Sequence, residues 1–132
     1  MFVCLALMLG VSLADLPPLA AEVESEAREL ILQTAVTPAL IADIGEFSAD
    51  AERLSASLRE AGVEQDLPSI FHGIAEDARA RASELQSADT PAERAEAFTN
   101  LRVLLEDAIL IAPMAAGAAA DMAQREADVA VR

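Results

Sequence analysis

The stretch between Thr90 and Pro113 constrains the fold most, because it combines a strong helix start with one continuous apolar face. Thr90 can accept a hydrogen bond at the N-cap, Pro91 suits the first helical position, and Glu93 has the spacing of a capping box. Apolar side chains then recur every three or four residues, at Phe98, Leu101, Leu104, Leu105, Ala108, Ile111 and Ala112. We therefore predict an amphipathic helix that Pro113 ends or kinks.

Three earlier segments repeat this pattern of a helix start followed by an apolar face. They begin at Asp15, at Thr37 and at Asp66, and a proline follows each start within three residues. Gly62, after the second segment, suits the left-handed residue that ends a helix. The predicted buried positions are Leu19, Val23, Ala27, Leu30 and Ile31, then Leu40, Ile44, Phe47, Ala51, Leu54, Leu58 and Ala61, then Leu67, Phe71, Ile74, Ala78, Ala82 and Leu85.

Short connections make neighbouring helices antiparallel, so the sequence predicts an all-α fold, an up-down-up-down four-helix bundle over residues 15–132. The small residues after Pro113 extend the fourth helix beyond a kink or form a short fifth helix.

Residues 1–14 carry no charged side chain and are too short to span a bilayer, as in the hydrophobic region of a secretory signal peptide. Ser12 and Ala14 are the small residues that cleavage after Ala14 requires, although no Lys or Arg precedes the apolar run. We predict a periplasmic or secreted protein without a stable membrane span after signal removal. An N-terminal membrane anchor and a cytoplasmic protein are the alternatives.

The formal net charge of −14 at pH 7 argues against nucleic-acid binding, because an acidic surface repels phosphate. The single cysteine, Cys4, would leave with the signal peptide, and the sequence has neither a phosphate-binding glycine loop nor a catalytic motif. We therefore predict a protein that is not an enzyme and that has no cofactor and no metal site. The acids of the first helix, Glu22, Glu26 and Glu29, are interpreted as a solvated face.

His72, the only histidine, follows the predicted core residue Phe71. A lone helical histidine in a small bundle resembles histidine phosphotransfer domains, which implies His72 as the phosphorylated residue in an alternative function. An exported bundle also resembles the four-helix b-type cytochromes, which implies a cofactor-carrying alternative. Met114 stands near the end of helix four, but the His that those cytochromes have there is missing.

Val103, Leu110 and Met114 also lie at helical spacing in the fourth segment, but outside its main apolar face. Either a second neighbouring helix covers them or they contact another molecule, a protein partner or a second copy of the chain. Together with the acidic surface and the absent catalytic motifs, they predict a small exported bundle that acts through a partner-binding or structural surface. These three residues are the predicted interface.

Overall fold

The computed structural model describes residues 13–63 and 66–131, and these contain four α-helices and no strand. A short 3-10 helix, Leu13–Asp15, leads directly into α1, Leu16–Leu30. The other three helices are α2, Pro38–Glu60, α3, Leu67–Ser87, and α4, Pro91–Ala130. The predicted all-α fold is thereby confirmed. The signal-like residues 1–12 lie outside the described part of the chain.

The two threonine N-caps form as local chemistry predicts. The hydroxyl of Thr37 accepts a hydrogen bond from the Leu40 N–H at 3.0 Å, and that of Thr90 accepts one from the Glu93 N–H at 3.1 Å. In a standard capping box the Glu93 carboxylate would accept a hydrogen bond from the N–H of the N-cap residue, Thr90. Here it accepts one from the N–H of Asp89, one residue earlier. Asp15 stands at the N-cap of α1 without a side-chain capping bond.

The end of α2 is a Schellman motif centred on Gly62. Its φ of 79° lies in the left-handed region that favours glycine. The Val63 N–H donates to the Leu58 carbonyl at 3.0 Å, and the Gly62 N–H donates to the Arg59 carbonyl at 3.1 Å. Val63 is buried beside the end of the helix. Gly62 therefore ends α2 as predicted.

Pro113 does not end α4, which continues as one helix to Ala130. A proline inside a helix removes one backbone hydrogen bond and costs about 3 kcal/mol. Packing on both sides of it offsets this cost, because Ala108 and Ala112 before the proline and Ala115 and Ala119 after it are all buried. The described residues thus contain no separate fifth helix.

The helices pack as contacting pairs, α2 with α3 and α1 with α4, and α1 also contacts α2 while α3 contacts α4. The core between them holds large side chains such as Phe47, Phe71 and Leu101. Two buried serines of α2 form hydrogen bonds to the backbone of α3. The Ser48 hydroxyl donates to the Ala75 carbonyl at 2.8 Å, and the Ser55 hydroxyl donates to the Pro68 carbonyl. Because these hydroxyls are satisfied, the serines do not weaken the apolar face of α2.

Candidate functional site

The three predicted interface residues lie on the outer side of α4. The exposed fraction is 55% for Val103, 72% for Leu110 and 58% for Met114. At about 100° per residue they fall within roughly 40° of one another around the helix, and the line they form is about 17 Å long. Buried residues such as Leu105 and Ala112 face the opposite way. No second helix of the described chain covers these three side chains, which we call the α4 stripe.

The surroundings of the α4 stripe are mostly acidic. Glu106 and Asp107 lie between Val103 and Leu110, and both are exposed. One cation, Arg102, is exposed beside them and forms no ion pair among the described residues. The stripe is therefore an apolar line with a negatively charged border.

By length and composition, α4 is also the one described helix that could cross a membrane. Its most apolar window of 18 residues has a mean hydropathy of 1.7, and 33% of that window is buried against the rest of the protein. The core helix of a water-soluble protein passes the same test. The buried fraction shows that α4 uses part of its apolar surface for the internal core.

His72 lies on the surface between α2 and α3, where two glutamates hold it. Its Nδ1 is 2.9 Å from a carboxylate oxygen of Glu52, and its Nε2 is 3.3 Å from one of Glu76. Only the contact of Nδ1 with Glu52 has hydrogen-bond geometry, and the contact of Nε2 with Glu76 is an ion pair only when the imidazole is protonated. A phosphoryl group on either nitrogen would displace one of these contacts and meet the second carboxylate nearby. This geometry speaks against the phosphotransfer alternative.

The ligands of the haem alternative are not assembled. Met114 is exposed on the outside of α4, and His72 is exposed at the α2–α3 surface. Haem between helices needs ligands that project into the core. The described residues bring no such pair together.

A cluster of acids at the α1–α2 interface was not predicted. Carboxylate oxygens of Glu22, Glu26 and Asp50 all lie within 4.8 Å of one another. Asp50 is only 13% exposed and also pairs with Arg53 at 3.2 Å. Glu26 is half-buried, and its Oε2 is inaccessible to solvent and has no hydrogen-bond partner among the described groups while both Glu26 and Asp50 are ionised. The interpretation of Glu26 as part of a solvated face was wrong.

The electrostatics of this cluster favour a neutral Glu26. Burial, a hydrogen bond to Asp50 and the negative charges of Asp50, Glu22 and Glu46 together raise the pKa of Glu26 from 4.5 to about 8. Three carboxylates this close could share a divalent cation, which takes oxygen ligands, or two of them could share a proton. The raised pKa of Glu26 favours the proton, which would link α1 to α2 through Asp50.

The pattern that could have revealed this pair is weak. Glu26 precedes the core residue Ala27, and Asp50 precedes the core residue Ala51. Each acid therefore borders the buried face of its own helix, about 100° from its centre. Their meeting depends on how α1 and α2 align, which neither segment specifies by itself.

The described residues assemble no nucleophile with a base. Ser48 and Ser55 are buried and donate to helix carbonyls, and Ser57 is buried as well. The only histidine contacts glutamates rather than a serine or a threonine. No protein-family model matches the sequence, and no curated protein and no solved structure shows significant similarity to it.

Proposed function

We propose that this chain is an exported, non-enzymatic helical-bundle protein that binds a protein partner through the α4 stripe. The observation that carries the proposal is the exposure of Val103, Leu110 and Met114 in one line on the outside of α4. Scattered single exposed apolar residues need no explanation, but three aligned ones on one helix are typical of a contact surface. Helix-in-groove and helix-pairing contacts use this kind of spacing.

The helix contacts support an up-down-up-down bundle as the framework. Each helix contacts two others in a closed order, α1 with α2, α2 with α3, α3 with α4 and α4 with α1. The connections 31–37 and 88–90 are short, as antiparallel neighbours require. In such a bundle α1 and α3 contact the core side of α4, and its outer side stays exposed and available to a partner.

The charge of the border indicates the chemistry of the partner. Glu106 and Asp107 flank the stripe, and the whole chain carries a formal net charge of −14 at pH 7. Two copies of such a chain repel each other, whereas a basic partner is attracted. We therefore propose as partner a protein segment that has an apolar face bordered by Lys or Arg. A second copy of this chain is the less favoured occupant.

Leu110→Glu is expected to weaken binding of a basic amphipathic helical peptide about tenfold or more. It removes the most exposed apolar side chain of the stripe and puts a carboxylate into the apolar contact, which outweighs the attraction of one more negative charge for the peptide. Fluorescence anisotropy with a labelled Leu/Lys peptide measures this at two salt concentrations, and the affinity for the parent chain should fall as salt rises. Leu32→Glu is the matched control, since Leu32 is 77% exposed but lies outside α4.

Equal affinity of the parent and Leu110→Glu chains, with unchanged helicity by circular dichroism, would contradict the proposed surface. Equal loss in Leu110→Glu and Leu32→Glu would mean that the loss does not come from the α4 stripe and would also count against it. Sedimentation velocity is run beside the binding assay. If the parent chain is a dimer that Leu110→Glu dissociates, the occupant of the stripe is a second copy rather than a basic partner.

Export predicts that the mature protein begins at Asp15 and lies outside the cytoplasm. Amino-terminal sequencing of the protein from fractionated cells measures this directly. Core packing is compatible with such a cleavage, because Leu13 is only partly buried while Leu16, the first fully buried residue of the described part of the chain, is retained. A mature protein that keeps Met1 in the cytoplasmic fraction would remove export from the proposal and leave the α4 stripe untouched.

A further inference from the structure

A cleft of about 680 Å³ opens at one end of the helices, between the α1–α2 connection and the α3–α4 connection. Its lining is polar and apolar in about equal measure, and the apolar part includes the side chains of Val36, Leu85, Pro91 and Phe98. Among the described residues, Arg94 is the only charged one in its lining and no carboxylate lines it. Small-molecule sites typically have roughly 300–1,000 Å³, apolar walls and a few polar groups that fix orientation.

Arg94 is unusual among the arginines of the described chain. Two of them, Arg81 and Arg94, are half-buried. Arg81 pairs with Glu84 at 2.9 Å, whereas Arg94 forms no ion pair with any described residue. This occurs in a chain with 23 acidic residues and 9 basic ones. A half-buried guanidinium keeps its directed N–H donors available and gains from an anionic acceptor.

The nearby acids are turned away from this cleft. The Glu93 carboxylate accepts a hydrogen bond from the Asp89 N–H at 2.9 Å. Glu93 lines a separate pocket together with Glu84 and Glu96. Arg94 lies close to the start of α4, where the helix dipole adds positive potential. Arg94 and the start of α4 therefore supply positive charge at the cleft itself, and salt screens the more distant negative charges of the chain over about 8 Å.

We propose that this cleft binds a small organic anion with an apolar tail, its carboxylate paired with Arg94 and its tail against Val36, Leu85 and Phe98. Apolar walls alone would accept a neutral or a cationic amphiphile as well. The unpaired guanidinium distinguishes among them and selects the anion. The site shares no residue with the α4 stripe and does not depend on the partner proposed for it.

The test compares three probes that differ only in the head group: decanoate, decanol and decyltrimethylammonium, each below its micelle concentration. Binding to the full chain is followed by isothermal titration calorimetry and by NMR shifts of residues that line the cleft. Decanoate should bind most tightly, and Arg94→Gln should weaken it roughly tenfold while changing decanol by less than about twofold. Arg102→Gln, which removes the same charge from an exposed position of α4, is the matched control and should keep the parent affinity.

A second variant, Ala95→Trp, tests the apolar wall. Ala95 lines the cleft from an exposed position, so a larger side chain can fill the space without entering the core. All three probes should then lose binding, with the circular dichroism spectrum unchanged. Equal affinity of Arg94→Gln and the parent for decanoate, or equal losses in Arg94→Gln and Arg102→Gln, would overturn the proposal. If a peptide bound more tightly than decanoate, through its terminal carboxylate and in dependence on Arg94, the occupant would be a peptide. That result would overturn the assignment to a small organic anion.

Discussion

Replacing Leu101 with aspartate is expected to destabilise the chain by on the order of 4 kcal/mol or more, a large share of the roughly 5–15 kcal/mol that separates folded from unfolded domains. Leu101 is 1% exposed in the middle of the core face of α4. A carboxylate there either stays charged in an apolar environment or takes up a proton at a large cost in free energy. Urea denaturation followed at 222 nm measures the loss.

Val103→Asp is the matched control, because it adds the same charge two residues later on the same helix. Val103 is 55% exposed, so its replacement should change the free energy of unfolding by less than about 1 kcal/mol. Leu101→Ala should lie between the two, with a loss of roughly 2–5 kcal/mol from the cavity it leaves. A Leu101→Asp chain with the urea midpoint of its parent would contradict the packing of α4 described above.

The sequence was sufficient for features that depend on neighbouring residues. The Thr37 and Thr90 caps and the Gly62 ending each require only a few consecutive residues with the right hydrogen-bonding and backbone preferences. The buried face of each helix could also be predicted, because helical spacing alone identifies positions such as Phe47 and Leu101 as buried. These local signals define the four α-helices.

Features that depend on tertiary packing were not readable in this way. Pro113 is a helix breaker by local rules, yet α4 continues because alanines on both sides of it are buried. Glu26 belongs to an acidic side of α1 by spacing, but the alignment of α1 with α2 places it against Asp50. The cleft at Arg94 is formed by the α1–α2 connection together with the end of α3 and the start of α4, which are distant from it in sequence. In each case the deciding contact joins separate segments.

The stability of the folded chain is expected to fall as the pH rises from about 5 to about 8, in part because of Glu26. The pKa of its carboxyl is about 8 in the folded chain and 4.5 as the reference value for an unstructured chain. Below pH 4.5 the folded and the unfolded chain both hold this proton, so the stabilisation that the neutral Glu26 provides is fully present. Between pH 4.5 and about 8 the unfolded chain has released this proton while the folded chain still holds it. The free energy of unfolding therefore falls as the pH rises through this range and levels off above the folded-state pKa.

Glu26→Gln isolates this contribution, because a neutral amide can still donate to Asp50 and does not titrate. The variant should match its parent near pH 4 and become more stable than it above pH 8. Since Glu26 is half-buried and partly screened by solvent, we expect a difference of about 2 kcal/mol, or roughly 6–10 °C in Tm. Thermal melts at closely spaced pH values, at fixed ionic strength, measure both chains.

The control separates Glu26 from the general repulsion of an acidic chain. Glu29→Gln removes a carboxylate about one turn further along α1, at an exposed position. Its plot of Tm against pH should run parallel to that of the parent. Both variants relieve the same net charge, so only the buried contact with Asp50 distinguishes them. If Glu26→Gln and Glu29→Gln gave the same profile, the raised pKa would not come from the α1–α2 interface, and the proton would not link the two helices.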